Sequence, residues 1–454
     1  MALADAFLAG PWTGAGLLGR AELVLGARHG WLRRMSREVL ASHPRPPTDR
    51  PRELSAFVEQ SAGMAEVVRR ASRRRRRVPV PLHRLTEPTT TIRQPFPVVR
   101  IDHAGHLADL LRISVPELLW FADVKGLHRR ARSDRLHHYR STWVPSSGGA
   151  RLLEAPLPRL KGLQRQLLEQ VLSPIPVHPA AHGFVGGRSV RTGAAPHVGA
   201  ELLISLDLEA FFPTITGGRI YGIFRTAGYP EPVAHLLTGL CTHATSVQVL
   251  GSMPAEMFNS AGAAAASSAF RLRRRLAEPH LPQGAPTSPQ LANLCAFRLD
   301  RRLSAYAAAM AAVYTRYADD LTFSGSDLLV RQRGVVATVA RIVAEEGFAL
   351  NRSKTRVRGR NARQEVTGVV VNARTTVPRE DYDLLRAILH NCVRDGPASQ
   401  NRLQHSHFRQ YLRGRIAWVA SMDAERGRRL LTTFDGIDWN QVQPSACPGS
   451  PTFR

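Results

Sequence analysis

Apolar runs of strand length punctuate the middle of the chain, and apolar residues at helical spacing dominate its two ends. Ala312-Val313-Tyr314-Thr315 and Leu321-Thr322-Phe323 flank Tyr317-Ala318-Asp319-Asp320, a pattern that predicts two short strands joined at an acidic turn. Residues 201–207 form another apolar run that closes on Asp207 and continues into Phe211-Phe212-Pro213. A fourth strand-like run covers 364–372. Leu281-Pro282-Gln283-Gly284-Ala285-Pro286-Thr287-Ser288-Pro289 is turn-rich and leads into a helix, with Ser288 expected as N-cap and Pro289 at the first helical position. Beyond 373, Tyr382, Leu385, Ile388, Leu389 and Cys392 recur at helical spacing after Pro378, and 408–419 reads as a second helix.

Charge narrows the classes of partner. The 454 residues carry 62 Lys and Arg against 36 Asp and Glu, a formal net charge of +26. Such an excess suits phosphate neutralisation on a nucleic acid, although an Ala-, Arg-, Gly- and Pro-rich composition also follows genomic base content. Cys241, Cys295, Cys392 and Cys447 stand alone without Cys-x-x-Cys spacing. That pattern points to a reducing, cytoplasmic setting and no zinc site. His178 with His182, and His405 with His407, lack a third ligand type nearby. No signal peptide or long uncharged apolar run is seen, so no membrane partner is expected.

Three carboxylates then acquire a common chemistry. Adjacent aspartates in a turn are ordinarily turn formers, and an aspartate closing a strand ordinarily caps the next segment. Phosphoryl transfer to a hydroxyl, however, uses two divalent ions about 3.5–4 Å apart. Mg²⁺ prefers carboxylate oxygen, so aspartates converging from neighbouring strands are the cage it requires.

In order along the chain, Asp207 with Phe211-Phe212-Pro213, the Leu281 to Pro289 block and Tyr317-Ala318-Asp319-Asp320 resemble three motifs of the reverse transcriptases, closest in wording to the bacterial retron branch. The resemblance covers roughly residues 96 to 440. His138-Tyr139-Arg140, and the segment from Ser147 through Arg151 to Pro156, resemble the fingers segment that grips a triphosphate; Gly347 to Thr355 resembles the segment after the acidic hairpin. Of two retron signatures, Val366-Thr367-Gly368 is intact. The other, Asn-Ala-x-x-His, is partial at Gly193-Ala194-Ala195-Pro196-His197, where glycine replaces asparagine.

The resemblance implies an α/β (α+β) right-hand polymerase: fingers and palm on a catalytic antiparallel sheet, a helical thumb and a helical N-terminal extension. The expected segments are 1–95 for the basic helical extension and linker, 96–372 for fingers and palm, 373–440 for the thumb and 441–454 for a disordered tail. Carried over residue by residue, Asp207, Asp319 and Asp320 are catalytic and ligate metal, with the Leu208 carbonyl as a further ligand. The cofactor is two Mg²⁺ ions, with Mn²⁺ as a substitute. Nucleotide contacts fall to Arg151, Phe212 as the block to a ribose 2′-hydroxyl, Gln283, Gly284 and Lys354. RNA contacts fall to His197, Val366, Thr367, Gly368, Arg413 and Arg415, with Trp418 expected in the core.

Implied partners are a cognate structured non-coding RNA serving as template and primer, deoxynucleoside triphosphates, a separate ribonuclease H and an effector protein in anti-phage defence. The implied product is a branched RNA–DNA hybrid, msDNA, primed from a guanosine 2′-hydroxyl. An intron-derived or other defence-associated enzyme with different priming, and an RNA-binding scaffold, remain open alternatives. The Arg69 to Arg77 run is either a solvated segment or an RNA clamp, and the Ala-rich tract 261–269 is an elaboration between motifs.

Overall fold

The structure is a computed structural model and describes residues 1–73, 77–131, 133, 136–146, 149–254, 263–326 and 328–439. The middle of the arginine run, Ser147, the start of the Ala-rich tract, Cys447 and the expected tail lie outside the described residues. The chain divides into two compact units, 1–176 with 210–295 and 177–209 with 296–454, so it crosses between them more than once.

The first unit opens with five helices, Ala2–Leu8, Gly14–Leu25, Gly30–Ser42, Pro51–Gln60 and Ala62–Arg73. Thr13 accepts the Gly16 amide at the start of the second, and Gly26 ends it at φ 67° in the left-handed conformation. Leu17, Ala21, Leu32, Met35, Val39, Leu54 and Val58 fill a shared core. This bundle is tied to the rest of its unit by charge: Arg225 holds Asp49 at 3.0 Å, and Glu231 takes the Arg52 amide at 2.6 Å.

Strands β1 (Tyr139–Ser146) and β2 (Gly149–Pro156) pair antiparallel in the same unit, with Tyr139 opposite Pro156. Buried Gln164 fixes the base of this hairpin by donating to the Tyr139 hydroxyl and the Leu240 carbonyl, both at 2.9 Å. The helix expected after the Leu281 block is Ser288–Cys295. Ser288 does not serve as the simple cap foreseen; its buried hydroxyl donates to Pro282 O at 2.7 Å and closes the preceding loop on itself.

The second unit is built on a four-stranded antiparallel sheet in the order β4-β5-β3-β6, formed by β3 (Leu202–Asp207), β4 (Val313–Tyr317), β5 (Asp320–Ser324) and β6 (Arg356–Gly359). A small hairpin of β7 (Glu365–Val366) and β8 (Val369–Val370) comes next. Helices Arg379–Asp395, Phe408–Met422 and Ala424–Asp435 then pack Leu385, Leu389, Leu412, Ile416, Val419, Leu430 and Phe434 onto Val366, Val369 and Val371. Among the described residues no helix is long and apolar enough to cross a membrane, and Cys241, Cys295 and Cys392 are buried free thiols.

Candidate active site

The β4–β5 hairpin turns on two residues, Ala318 and Asp319, because Tyr317 pairs directly with Asp320. Ala318 sits at φ 54°, a conformation that costs a residue with a Cβ. On the other side of β5, Asp207 at the end of β3 stands directly opposite Asp320. The Leu208 amide donates to the Asp319 carbonyl at 2.9 Å, so all three aspartates share one end of the sheet.

Like charges at this edge perturb Asp320. Burial, then the neighbouring charges of Asp319 and Asp207, push the Asp320 carboxyl up to about 6, against the opposing pull of Lys354. Lys354 Nζ donates to Asp207 Oδ1 at 2.8 Å. Glu209 N to Ala349 O and Asn351 N to Asp207 O carry the ladder on either side of Leu208, which leaves the Leu208 carbonyl outside it.

The donor set is all oxygen and suits a hard divalent cation. Among the described residues, however, no three His, Cys, Asp or Glu side chains already stand as a finished cation cage. The ammonium of Lys354 holds one oxygen such a cage would use.

In the first unit, the expected nucleotide residues cluster around β2. Gln283 O accepts the Glu154 amide at 2.9 Å, and Leu281 N donates to Ile215 O at 3.1 Å, next to the short helix Phe211–Thr214 that carries Phe212. Gly284, at φ 134°, lies where a Cβ would meet the Glu154 carbonyl at 3.1 Å. Arg151 is exposed on β2, and the Phe212 ring is half-buried, edge-on to Phe211 with centroids 5.5 Å apart.

Beneath this loop lies a buried acid–base group that sequence reasoning missed. Glu154 accepts from Thr245 Oγ1 at 2.7 Å and from His280 Nε2 at 2.8 Å. Burial alone would depress His280, but the Glu154 carboxylate raises it above its ordinary value; His280, His243 and Thr245 in turn hold Glu154 low despite its burial.

Two expected RNA contacts need correction. His197 is fully buried, with Nδ1 at 2.7 Å from Ser324 Oγ and Nε2 at 2.8 Å from Thr315 Oγ1, so its ring cannot meet RNA. Thr315 gives its own proton to Gly193 O at 3.1 Å. Its oxygen must therefore accept from Nε2–H, which leaves Nδ1 to accept from Ser324. A Cβ on Gly193 would already lie 3.2 Å from the His182 Cβ, which explains why the small residue suits this packing. Val366 is likewise core; only Thr367 (φ 47°) and Gly368 (φ 82°) form the tip of the β7–β8 hairpin, a two-residue turn with both residues left-handed.

On the helix Phe408–Met422, Arg413 is exposed and Arg415 half-buried with its guanidinium 6.0 Å above the Tyr411 ring. Trp418 is 40% exposed and not in the core, a further correction, because Leu412, Ile416 and Val419 take the inward face.

Comparison with known proteins fits this geometry. Residues 144–371 match the family described as reverse transcriptase (RNA-dependent DNA polymerase). The retron Mx65 reverse transcriptase of Myxococcus xanthus is 43% identical over 305 residues, which are 65% of this chain and 64% of that protein. The retron Mx162 reverse transcriptase of the same organism is 38% identical over 359 residues, 75% of this chain and 68% of that protein. The chain belongs to the retron reverse transcriptases. A third member, the retron Ec86 reverse transcriptase of Escherichia coli, is 31% identical over 291 residues, 63% of this chain and 77% of its own length. The matched segment thus spans about two thirds of the two Myxococcus retron reverse transcriptases.

Proposed function

We propose that the protein is an RNA-directed DNA polymerase that copies a cognate structured non-coding RNA into DNA. The observation that carries this reading is the direct opposition of Asp207 and Asp320, with Asp319 in the adjoining turn. Asp207, Asp319, Asp320 and the Leu208 carbonyl would hold two Mg²⁺ ions, or Mn²⁺ in their place. When bound, these ions supply charge stabilisation to the attacking and leaving oxygens of phosphoryl transfer.

The side chains do the rest. Arg151 offers a planar fork to triphosphate oxygens. Phe212 fills the space a ribose 2′-hydroxyl would need, and Gln283 with Gly284 brings backbone close to the nucleotide. Lys354, paired with Asp207, would meet the departing pyrophosphate.

The reading extends to RNA through Thr367 and Gly368 at a hairpin tip, and through Arg413 and Arg415 on an exposed helix face. It assigns priming to a guanosine 2′-hydroxyl, giving branched msDNA, removal of template to a separate ribonuclease H, and a defence role to a partner effector. The names of the relatives, all retron reverse transcriptases, support this over intron-derived enzymes.

Co-expression with the flanking genomic region, then sequencing of bound nucleic acid before and after debranching, tests the reading. A discrete DNA whose mobility depends on debranching, absent from an Asp319→Ala/Asp320→Ala protein, is expected. DNA without a branch would overturn the priming assignment, and RNA alone in both proteins would overturn the polymerase reading.

A further inference from the structure

Arg316 is the largest fully buried side chain among the described residues, and it lies two positions before the Ala318–Asp319 turn. Its guanidinium meets Asp300, itself fully buried on the helix Phe297–Ala308, through Nε to Oδ1 at 2.8 Å and Nη2 to Oδ2 at 2.7 Å. Tyr314 adds a third bond to the same carboxylate, its hydroxyl donating to Asp300 Oδ1 at 2.9 Å. The remaining arm reaches forward: Nη1 donates to the Ala318 carbonyl at 3.0 Å.

That carbonyl belongs to the residue with the strained backbone. Left-handed alanine persists only where its surroundings over-determine it. Besides Arg316, the surroundings include the segment 180–183. Arg316 N donates to Ala180 O at 2.8 Å, His182 N donates to Arg316 O at 2.7 Å, and a Cβ on Gly183 would lie 2.6 Å from the Ala318 amide nitrogen. Backbone on one side and a guanidinium on the other thus grip the turn.

Stability is a poor reason to keep such a pair. Taking two charges out of water is costly, and apolar replacements of a buried ion pair are often neutral or stabilising. A fork that locks a carboxylate with two arms and a catalytic turn with a third is better explained by geometry.

We propose that Arg316 is a positioning residue for the acidic hairpin: anchored by Asp300, it holds the Ala318 carbonyl and so fixes the turn from which Asp319 and Asp320 project. The inference rests on the reading of Asp207, Asp319 and Asp320 as the catalytic carboxylates. Arg316 touches neither nucleotide nor RNA in this role; it acts through the turn.

The test uses the full chain with poly(rA)/oligo(dT) and dTTP, measuring kcat, KM for dTTP, affinity for the primed template and thermal midpoint. Arg316→Met is expected to lower kcat at least tenfold, with KM and template affinity within twofold of the parent. Arg316→Lys keeps the charge but not the three-armed geometry, and is expected to remain low in kcat. The triple variant Asp300→Leu/Tyr314→Phe/Arg316→Met removes every member of the buried group, so it is expected to regain the thermal midpoint while kcat stays at least tenfold down.

If kcat returns with stability in the triple variant, Arg316 is a packing residue and the proposal is overturned. The triple variant decides the matter even if Arg316→Met alone does not fold. Asp319→Ala, run in parallel, separates the two readings. Synthesis by Asp319→Ala would sink the assignment of the carboxylates, whereas an inactive Asp319→Ala beside a fully active triple variant would sink only the role of Arg316.

Discussion

Lys354 Nζ stands 2.8 Å from Asp207 Oδ1 at the acidic end of the sheet. Burial and the charges of Asp319 and Asp207 push the Asp320 carboxyl up to about 6, a crowding that a bound cation would relieve. Asp319→Ala or Asp320→Ala is therefore expected to cut DNA synthesis by about a hundred- to a thousandfold, the range seen when a centre of transition-state charge stabilisation is removed. Filter binding should show RNA affinity nearly intact, since neither carboxylate attracts phosphate. Synthesis at the parental rate would exclude this edge as the metal site.

Phe212→Ala opens the space beside the sugar. Discrimination against ribonucleotides should fall by roughly ten- to two-hundredfold, the range for reshaping an apolar pocket wall. The measurement is the ratio of kcat/KM for dGTP and GTP on one template. An unchanged ratio would take the gate role away from this ring.

How much of this was legible in the sequence depends on what each residue faces. The hairpin was legible because apolar runs flank Asp319 and Asp320 on both sides, and two strands need only a two-residue turn to meet. That Asp207 lies opposite Asp320 was not, since register between strands distant in the chain leaves no local trace. Nothing in the sequence marks Arg316 beyond its place inside the apolar strand Val313–Tyr317, and nothing local singles out Asp300. His197 was expected at RNA because it completes a retron signature, yet both ring nitrogens are spent inside the sheet. Trp418 was expected in the core on hydrophobicity alone. The spacing of Leu412, Ile416 and Val419 marks the inward face and leaves Trp418 beside it, with Tyr411 and Arg415.

That outward face carries its own prediction. Tyr411 and Trp418 are both exposed and are spaced for one side of the helix, with Arg415 between them. Unpaired RNA bases stack on such surfaces at about 1–3 kcal/mol per base. Trp418→Ala should weaken binding of the cognate RNA about tenfold or more, with kcat on a generic primed template unchanged. Equal affinity would mean that the indole faces solvent only.

His197 predicts a pH dependence of stability. Burial, then the neighbouring charge of His182, depresses its imidazole to about 4 from an ordinary 6.5. Between these values the unfolded chain binds a proton that the folded protein refuses, so stability is complete above about pH 6.5 and falls as pH drops toward 4. The loss from this one group is on the order of 3 kcal/mol. His197→Gln removes the titration. The difference in unfolding free energy between parent and variant should narrow steadily from pH 6.5 to 4, and a difference independent of pH would show that the ring is not held neutral.

Glu154 and His280 join β2 to the Gln283–Gly284 loop, which makes the pair a hinge pin for the expected nucleotide contacts. Both side chains are almost wholly removed from solvent. Substituting Glu154→Gln keeps the shape and a hydrogen-bonding oxygen, but removes the charge that holds His280 above its ordinary value. Breaking one half of a buried pair typically costs about 3–5 kcal/mol, because the remaining charge is left without compensation. Here His280 can shed its proton, so the loss should lie below that range at pH 8 and approach it near pH 6. Denaturant melts at the two values measure this directly. Linkage sets the sign: with Glu154 present the raised imidazole contributes stability below its unfolded value and loses it as pH rises through the folded one. A variant equally stable to the parent at both pH values would mean that the pair is neutral in the folded protein, with the proton shared as a hydrogen bond between uncharged partners.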